Sequence, residues 1–278
     1  MEQNTVLSTD ALIDILQVSK NNYAVIVPNK IIFAVDASQD DVKTLVDEER
    51  NNPDNEYAPV AQTCLDTVQE ASLTLLLTFD CNLRCIYCYA RGGDDQVFML
   101  KQVAKGAIDA IRELSNTQRL SLYFGGGGEP FVNFPVMDFA VRYARQVFDE
   151  VTVAVVTNGT FGAEQLEWII ENEVSVRISC DGVAHDYQRP FSDGNPSRDV
   201  VEANIRNLVN LNREFMVQCI VTSASVRSMV KSVDYFANLG VRTLKIEPAH
   251  ISEACRGNKD MTPSPQEFVR SFIETLKH

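Results

Sequence analysis

No stretch of the sequence approaches the roughly eighteen consecutive apolar residues that a membrane-spanning helix requires. The first ten residues, Met1 to Asp10, have neither a basic region nor an apolar core, so no secretory signal is visible. Basic residues are in the minority: 25 Lys and Arg stand against 38 Asp and Glu, for a formal charge of −13. Those that are present are scattered, which argues against a phosphate-binding face and against nucleic acid as a partner. Histidine is scarce, with three in 278 residues, and none stands at metal-ligand spacing. No internal repeat or low-complexity segment occurs.

What remains is a globular composition, 45% hydrophobic and 23% charged. The chain is long enough for one large α/β domain with a smaller appendage. Seven cysteines is an odd number, and three of them fall within eight residues. A disulfide framework would spread and pair its thiols, so this usage points to a reduced, cytoplasmic protein with metal or redox work.

Six short segments rich in apolar and β-branched residues read as strands: Ser72 to Phe79, Arg119 to Phe124, Thr152 to Thr157, Val174 to Ser179, Met216 to Thr222 and Thr243 to Pro248. Segments with helical spacing lie between them, beginning at Val103, Val136, Ala163, Val200 and Val226. Gly240 falls where the last of these would stop. Strands alternating with helices imply right-handed crossovers and a parallel sheet. Eight such units close a barrel; six predict an open, partial (β/α)6 TIM-like barrel with its site at the C-terminal strand ends.

Residues 1–70 differ and read as a small N-terminal α+β extension. Thr9 or Asp10 would cap a short helix, ALIDILQV, and YAVIVP and KIIFAV flank Asn29 as a hairpin. DDVKTLVDEER and the stretch around PVAQTCLDTVQEA then look helical, with NNPDNE as a turn or linker. Residues 71–250 form the expected barrel core. Residues 251–278, ending in QEFVRSFIETLKH, read as the start of a C-terminal helical segment, cut short.

The chemistry-bearing residues follow the strands. After the first comes Cys81-Asn-Leu-Arg-Cys85-Ile-Tyr-Cys88, a C-x3-C-x2-C spacing that seven cysteines in this length would produce by chance only about 0.4% of the time. Thiolates suit iron–sulfur clusters and zinc. A fully protein-ligated cluster takes four cysteines, so three would leave one iron open to a substrate or cofactor. Zinc is the alternative, closed by a histidine from His185, His250 or His278. After the second strand stands Gly125 to Pro130, GGGGEP. Glycines at a strand end let a ligand approach the backbone. The run is no dinucleotide fingerprint and carries no Walker lysine. Thr157-Asn158-Gly159-Thr160 ends the third strand. Ser179-Cys180-Asp181-Gly182 ends the fourth, with His185, Asp186 and Arg189 following.

Together these motifs resemble the radical S-adenosylmethionine superfamily. The residues that carry the resemblance are the cysteine spacing with Tyr87 as its aromatic, Gly127 to Pro130, the TNG turn, and the S-x-DG…HD-x-x-RP run from Ser179 to Pro190, covering about residues 72 to 250 in order. The last run resembles the branch of anaerobic sulfatase-maturating enzymes and SPASM-type peptide maturases, whose C-terminal auxiliary-cluster domain is absent from this sequence. The glycine run is one residue longer than the motif, and about seventy residues precede the cysteines.

The resemblance implies a [4Fe–4S] cluster on Cys81, Cys85 and Cys88, with S-adenosylmethionine chelating the fourth iron. It implies backbone groups at Gly127, Gly128 and Glu129 for the cofactor's amino group. Asn158, Ser179 and Arg189 would take its carboxylate or ribose, while Tyr87 and the strand ends at Val221 and Glu247 would flank the adenine. The expected activity is reductive cleavage of S-adenosylmethionine to a 5′-deoxyadenosyl radical that modifies a peptide or protein side chain. The electrons would come from a low-potential donor such as flavodoxin or ferredoxin. A small-metabolite substrate is the alternative within enzymes; a non-catalytic iron–sulfur or zinc protein is the alternative outside them. Glu129 reads as a residue that fixes the glycine turn, with Glu247 and His250 facing substrate. Cys64, Cys180, Cys219 and Cys255 show no cluster spacing and read as free thiols, buried as such thiols usually are.

Overall fold

The computed structural model describes residues 14–19, 22–27, 30–34, 38–50, 70–250, 256 and 259–278. The chain divides into two compact units, Met1–Thr67 and Val68–His278.

In the first unit, β1 (Asp14–Ser19), β2 (Asn22–Val27) and β3 (Lys30–Ala34) form an antiparallel sheet in that order, and α1 (Gln39–Arg50) follows. The hairpin expected around Asn29 is the β2–β3 pair, running from Tyr23↔Ala34 to Val27↔Lys30. The helix expected over ALIDILQV is corrected: its described part is strand β1. An eight-residue helix is marginal alone, and here the segment gains a ladder with β2 from Asp14↔Ile26 to Ser19↔Asn22. Helix α1 starts at a reciprocal cap, in which the Asp41 N–H donates to Ser38 Oγ and the Ser38 N–H to Asp41 Oδ2. The NNPDNE turn, the helix expected around PVAQTCLDTVQEA, Cys64 and Cys255 lie outside the described residues.

The second unit is built on a parallel six-stranded sheet whose spatial order is its chain order: β4 (Ala71–Leu75), β5 (Arg119–Phe124), β6 (Glu150–Thr157), β7 (Ser175–Ser179), β8 (Phe215–Val221) and β9 (Leu244–Pro248). The connections carry α2 (Lys101–Leu114), α3 (Phe134–Val147), α4 (Ala163–Glu171), the short α5 (His185–Gln188) with α6 (Arg198–Asn210), and α7 (Met229–Leu239). The period of two decides which face is core. Leu120, Leu122 and Phe124 of β5, and Val176 and Ile178 of β7, are buried with Ile108 of α2, Met137 and Val141 of α3, Ile169 of α4, Ile205 and Leu208 of α6, and Phe236 of α7. The alternate residues face a concave side that the helices leave open. This is the expected partial barrel.

Strand β4 ends four residues earlier than expected. From Leu77 to Asp80 the backbone bonds to loops instead of a strand: the Met99 N–H donates to the Leu77 carbonyl and the Phe79 N–H to the Val97 carbonyl, and the Gly128 and Glu129 N–H groups donate to the Thr78 and Asp80 carbonyls. Helix α7 stops at Gly240, whose φ of 85° is left-handed. Beyond the sheet, α8 (Pro265–Lys277) begins at Ser264, whose side chain accepts the Glu267 N–H.

Candidate active site

Cys81, Cys85 and Cys88 lie in the loop that follows β4, and all three line one cavity of about 470 Å³ at the C-terminal end of the sheet. Their loop has almost no regular structure, so its shape comes from elsewhere in the chain. The Arg84 N–H donates to the Pro190 carbonyl and the Ile86 N–H to that of Gln188, while Leu83 bridges to Phe191. The HD-x-x-RP run therefore serves as a backbone partner for the cysteine loop. From within, Arg84 Nη1 donates to the Cys81 and Leu83 carbonyls and Nη2 to that of Gly93.

Each sulfur of the motif has an N–H donor from a different segment. The Gly92 N–H lies 3.3 Å from Cys88 Sγ, Asn158 Nδ2 3.8 Å from Cys81 Sγ, and Arg189 Nη1 3.8 Å from Cys85 Sγ. Burial pushes the Cys81 thiol up to about 12, and burial likewise raises Cys85. The thiols fit a cluster better than a single ion. Among the described residues no three His, Cys, Asp or Glu side chains converge on one metal position, whereas a cubane places each thiolate on its own iron. Two of the three histidines are held away from the thiols: His185 is buried between the Asp181 N–H and Ser197 Oγ, and His278 pairs with Asp234, while His250 lines the same cavity.

The glycine turn is shaped by crowding. Gly126 and Gly127 have φ of 81° and 71°, and a Cβ on Gly128 would fall 1.8 Å from the Asp80 carbonyl oxygen. Glu129 is buried beneath the turn and holds it, as expected. Its carboxylate accepts from Thr157 Oγ1 at 2.7 Å, the Asn158 N–H at 2.6 Å and the Phe131 N–H at 3.2 Å. Burial outweighs these bonds and raises its pKa to about 7. One side chain thus ties the end of β5 to the TNG turn after β6. Asn158 in turn donates to Asn82 Oδ1 at 2.7 Å, back on the cysteine loop.

Asp181 is the second hub. Its Oδ2 accepts from Tyr87 Oη at 2.6 Å, Gln188 Nε2 at 2.8 Å and Arg189 Nε at 2.9 Å, and Oδ1 from the Ile220 N–H at 2.9 Å. The Arg189 guanidinium also stands 5.3 Å from the centre of the Tyr87 ring. Desolvation, the largest influence, drives the Tyr87 phenol well above its usual range.

All ten expected site residues come together: the three cysteines, Tyr87, Gly127, Gly128, Glu129, Asn158, Ser179 and Arg189 line this cavity, with Glu247 and His250. Two refinements are needed. Val221 turns into the core and Ile220 faces the cavity instead, because neighbouring strand residues point oppositely. Arg189 is engaged by Asp181, where the expectation had it open to a ligand. Arg177, Gln218 and Tyr123 also line the wall; the sequence signal for them is their alternation with the buried Val176, Val217 and Leu122. Cys180 and Cys219 are buried thiols, as expected.

The Radical SAM superfamily profile matches residues 75–222, more than half of the chain. An uncharacterized protein of Methanocaldococcus jannaschii is 31% identical over 63% of this chain and 61% of its own length. The mycofactocin maturase MftC of Mycolicibacterium smegmatis is 27% identical over 63% of this chain and 43% of its own length. This chain thus spans less than two thirds of these relatives. Among solved structures, native anSMEcpe with bound AdoMet superposes with a TM-score of 0.66 at 21% identity, over 75% of this chain and 59% of that one. Streptococcus suis SuiB bound to its precursor peptide SuiA gives 0.55 at 11% identity, over 99% of this chain and 71% of that one. With the cysteine spacing, the six-stranded partial barrel and the profile in agreement, the chain belongs to the radical SAM superfamily, enzymes that use a [4Fe–4S] cluster and S-adenosylmethionine.

Proposed function

We propose that this protein modifies a peptide or protein side chain by radical chemistry, with Cys81, Cys85 and Cys88 holding three irons of the cluster. The observation that carries the reading is the meeting of these thiols with the glycine, TNG and Ser179 turns around one cavity. Held by these thiols, the cluster would supply one-electron reduction of S-adenosylmethionine and, through it, the radical chemistry that removes hydrogen from substrate.

The chain's own residues bind and orient. Carbonyl oxygens of the Gly127–Glu129 turn are the acceptors an amino group needs, since the Gly128 and Glu129 N–H groups are already given to Thr78 and Asp80. Ser179 offers a hydroxyl for the carboxylate or ribose, and Ile220 an apolar contact for the adenine. Arg189 and Asn158 point N–H groups at sulfur, so their first duty is to the cluster. Tyr87, held by Asp181, walls the cavity and excludes water.

A peptide substrate is supported by the named chemistry of the relatives: a maturase, and SuiB with its precursor peptide, whose superposition spans nearly the whole chain. The three-stranded unit at the N-terminus is the candidate docking module. Anaerobic reconstitution followed by assay for 5′-deoxyadenosine tests the activity, and its absence from reduced, cluster-loaded protein overturns the reading. Labelled precursor peptide, bound before and after deletion of residues 1–65, tests docking; unchanged affinity removes that role.

A further inference from the structure

Strand β7 places Arg177 on the concave side of the sheet, two residues before Ser179 and so about 7 Å deeper into the barrel. Its cross-strand neighbours are Val156 on β6 and Met216 on β8, neither of which carries a counter-charge for a guanidinium. Other charges around the cavity are matched. Arg189 pairs with Asp181, Glu129 accepts three donors, and Glu247 accepts from Gln218 and pairs with Lys245. The Arg177 side chain, half-buried, makes no hydrogen bond or ion pair among the described residues. A permanently charged fork held in a partly desolvated wall without a counter-charge is matched to a planar anion.

We propose that Arg177 anchors a carboxylate carried by the substrate, so that the group to be modified lies on an acidic residue or next to one. This rests on reading the cavity as the reaction chamber. S-adenosylmethionine also has a carboxylate, but chelation holds that one at the cluster. The charges acting most strongly on Cys85 are Arg189 and Asp181, and on Cys81 Glu129; Arg177 is not among them. It lines the same cavity two residues down β7 from Ser179.

The test uses full-length protein, anaerobically reconstituted and unreduced, with and without saturating S-adenosylmethionine. Phenylglyoxal modification of Arg177 is followed by peptide mass mapping. The probes are N-acetyl-L-glutamate α-amide and its neutral isostere, N-acetyl-L-glutamine α-amide. Arg177 should react, S-adenosylmethionine should change its rate less than about twofold, and the glutamate probe should slow it about tenfold, as befits a charge-assisted pair, with no slowing by the glutamine probe. In Arg177→Gln the affinity for S-adenosylmethionine should stay within about twofold of wild type, because the two carboxylates occupy different places. The proposal is overturned by an unreactive Arg177, by equal or absent slowing with the two probes, or by protection from S-adenosylmethionine alone. A tenfold loss of cofactor affinity in Arg177→Gln would likewise overturn it. If wild-type protein binds no S-adenosylmethionine, the proposed function fails separately, and the contrast between probes still reads Arg177.

Discussion

The Tyr87 hydroxyl donates a 2.6 Å hydrogen bond to the buried carboxylate of Asp181, joining the cysteine loop to the end of the fourth barrel strand. Asp181 also holds Arg189, Gln188 and the backbone of Ile220. The loop that carries the metal ligands is thereby fixed to β7 and β8 through one charge.

Tyr87→Phe should lower stability by about 1.5–3 kcal/mol, the worth of a hydrogen bond to a charged group. Asp181→Asn should cost more, about 3–5 kcal/mol, because Arg189 is left buried without its counter-charge. Anaerobic denaturant unfolding measures both. If the two substitutions cost the same, the ion pair is not the dominant link in the hub.

Gly128→Ala should abolish cluster loading. The added Cβ would meet the Asp80 carbonyl oxygen at 1.8 Å, and that oxygen accepts the Glu129 N–H. Relief requires the turn or the cysteine loop to move, at about 1–3 kcal/mol or more. Iron and sulfide content after reconstitution is the readout; full loading would show that the loop yields easily.

Removing an N–H donor from a cysteine sulfur should make the cluster harder to reduce, since such donors favour the more negative, reduced form. Asn158→Ala and Arg189→Lys remove or displace the donors at Cys81 and Cys85. A tenfold loss of preference for the reduced state corresponds to a midpoint lower by about 59 mV in a one-electron couple. Redox titration followed by electron paramagnetic resonance reads the shift without turnover. Identical midpoints would assign these contacts to packing alone.

Much of this was legible because strand and helix signals are local. VSVRIS, RLSLYF and their counterparts alternate cleanly, and the cofactor motifs sit at their ends. The failures have physical reasons. ALIDILQV has helical spacing, and only its pairing with β2 makes its described part a strand. Val221 and Ile220 differ by one step, which in a strand exchanges core for cavity and which no local motif specifies. Asp181 gives no local sign of its role as a hub, because its partner Tyr87 is 94 residues away in sequence. Arg177 is not legible in the sequence because a charged residue in a strand suggests solvent; only the curvature of the six-stranded sheet gives that face a cavity.

Glu129 and His185 should impose opposite pH dependences on stability, and single substitutions should separate them. Burial raises Glu129 from 4.5 to about 7, so the folded protein keeps a proton that the unfolded chain releases. Its contribution therefore declines as pH rises from about 4.5 to about 7, then levels. Burial lowers His185 from 6.5 to about 4. Its contribution is present above about 6.5 and is lost as pH falls toward 4. Both imidazole nitrogens are committed: Nδ1 accepts from the Asp181 N–H, so Nε2 carries the proton to Ser197 Oγ, which itself donates to the Arg189 carbonyl. A second proton would break the bond at Nδ1. Between pH 4.5 and 6.5 the two effects oppose each other at about 1.4 kcal/mol for each unit by which a pKa moves. Relative to wild type, Glu129→Gln should gain stability as pH rises through this window, and His185→Gln should lose it. Thermal unfolding across the window measures both differences. If they run parallel, at least one of these groups does not titrate as its burial dictates.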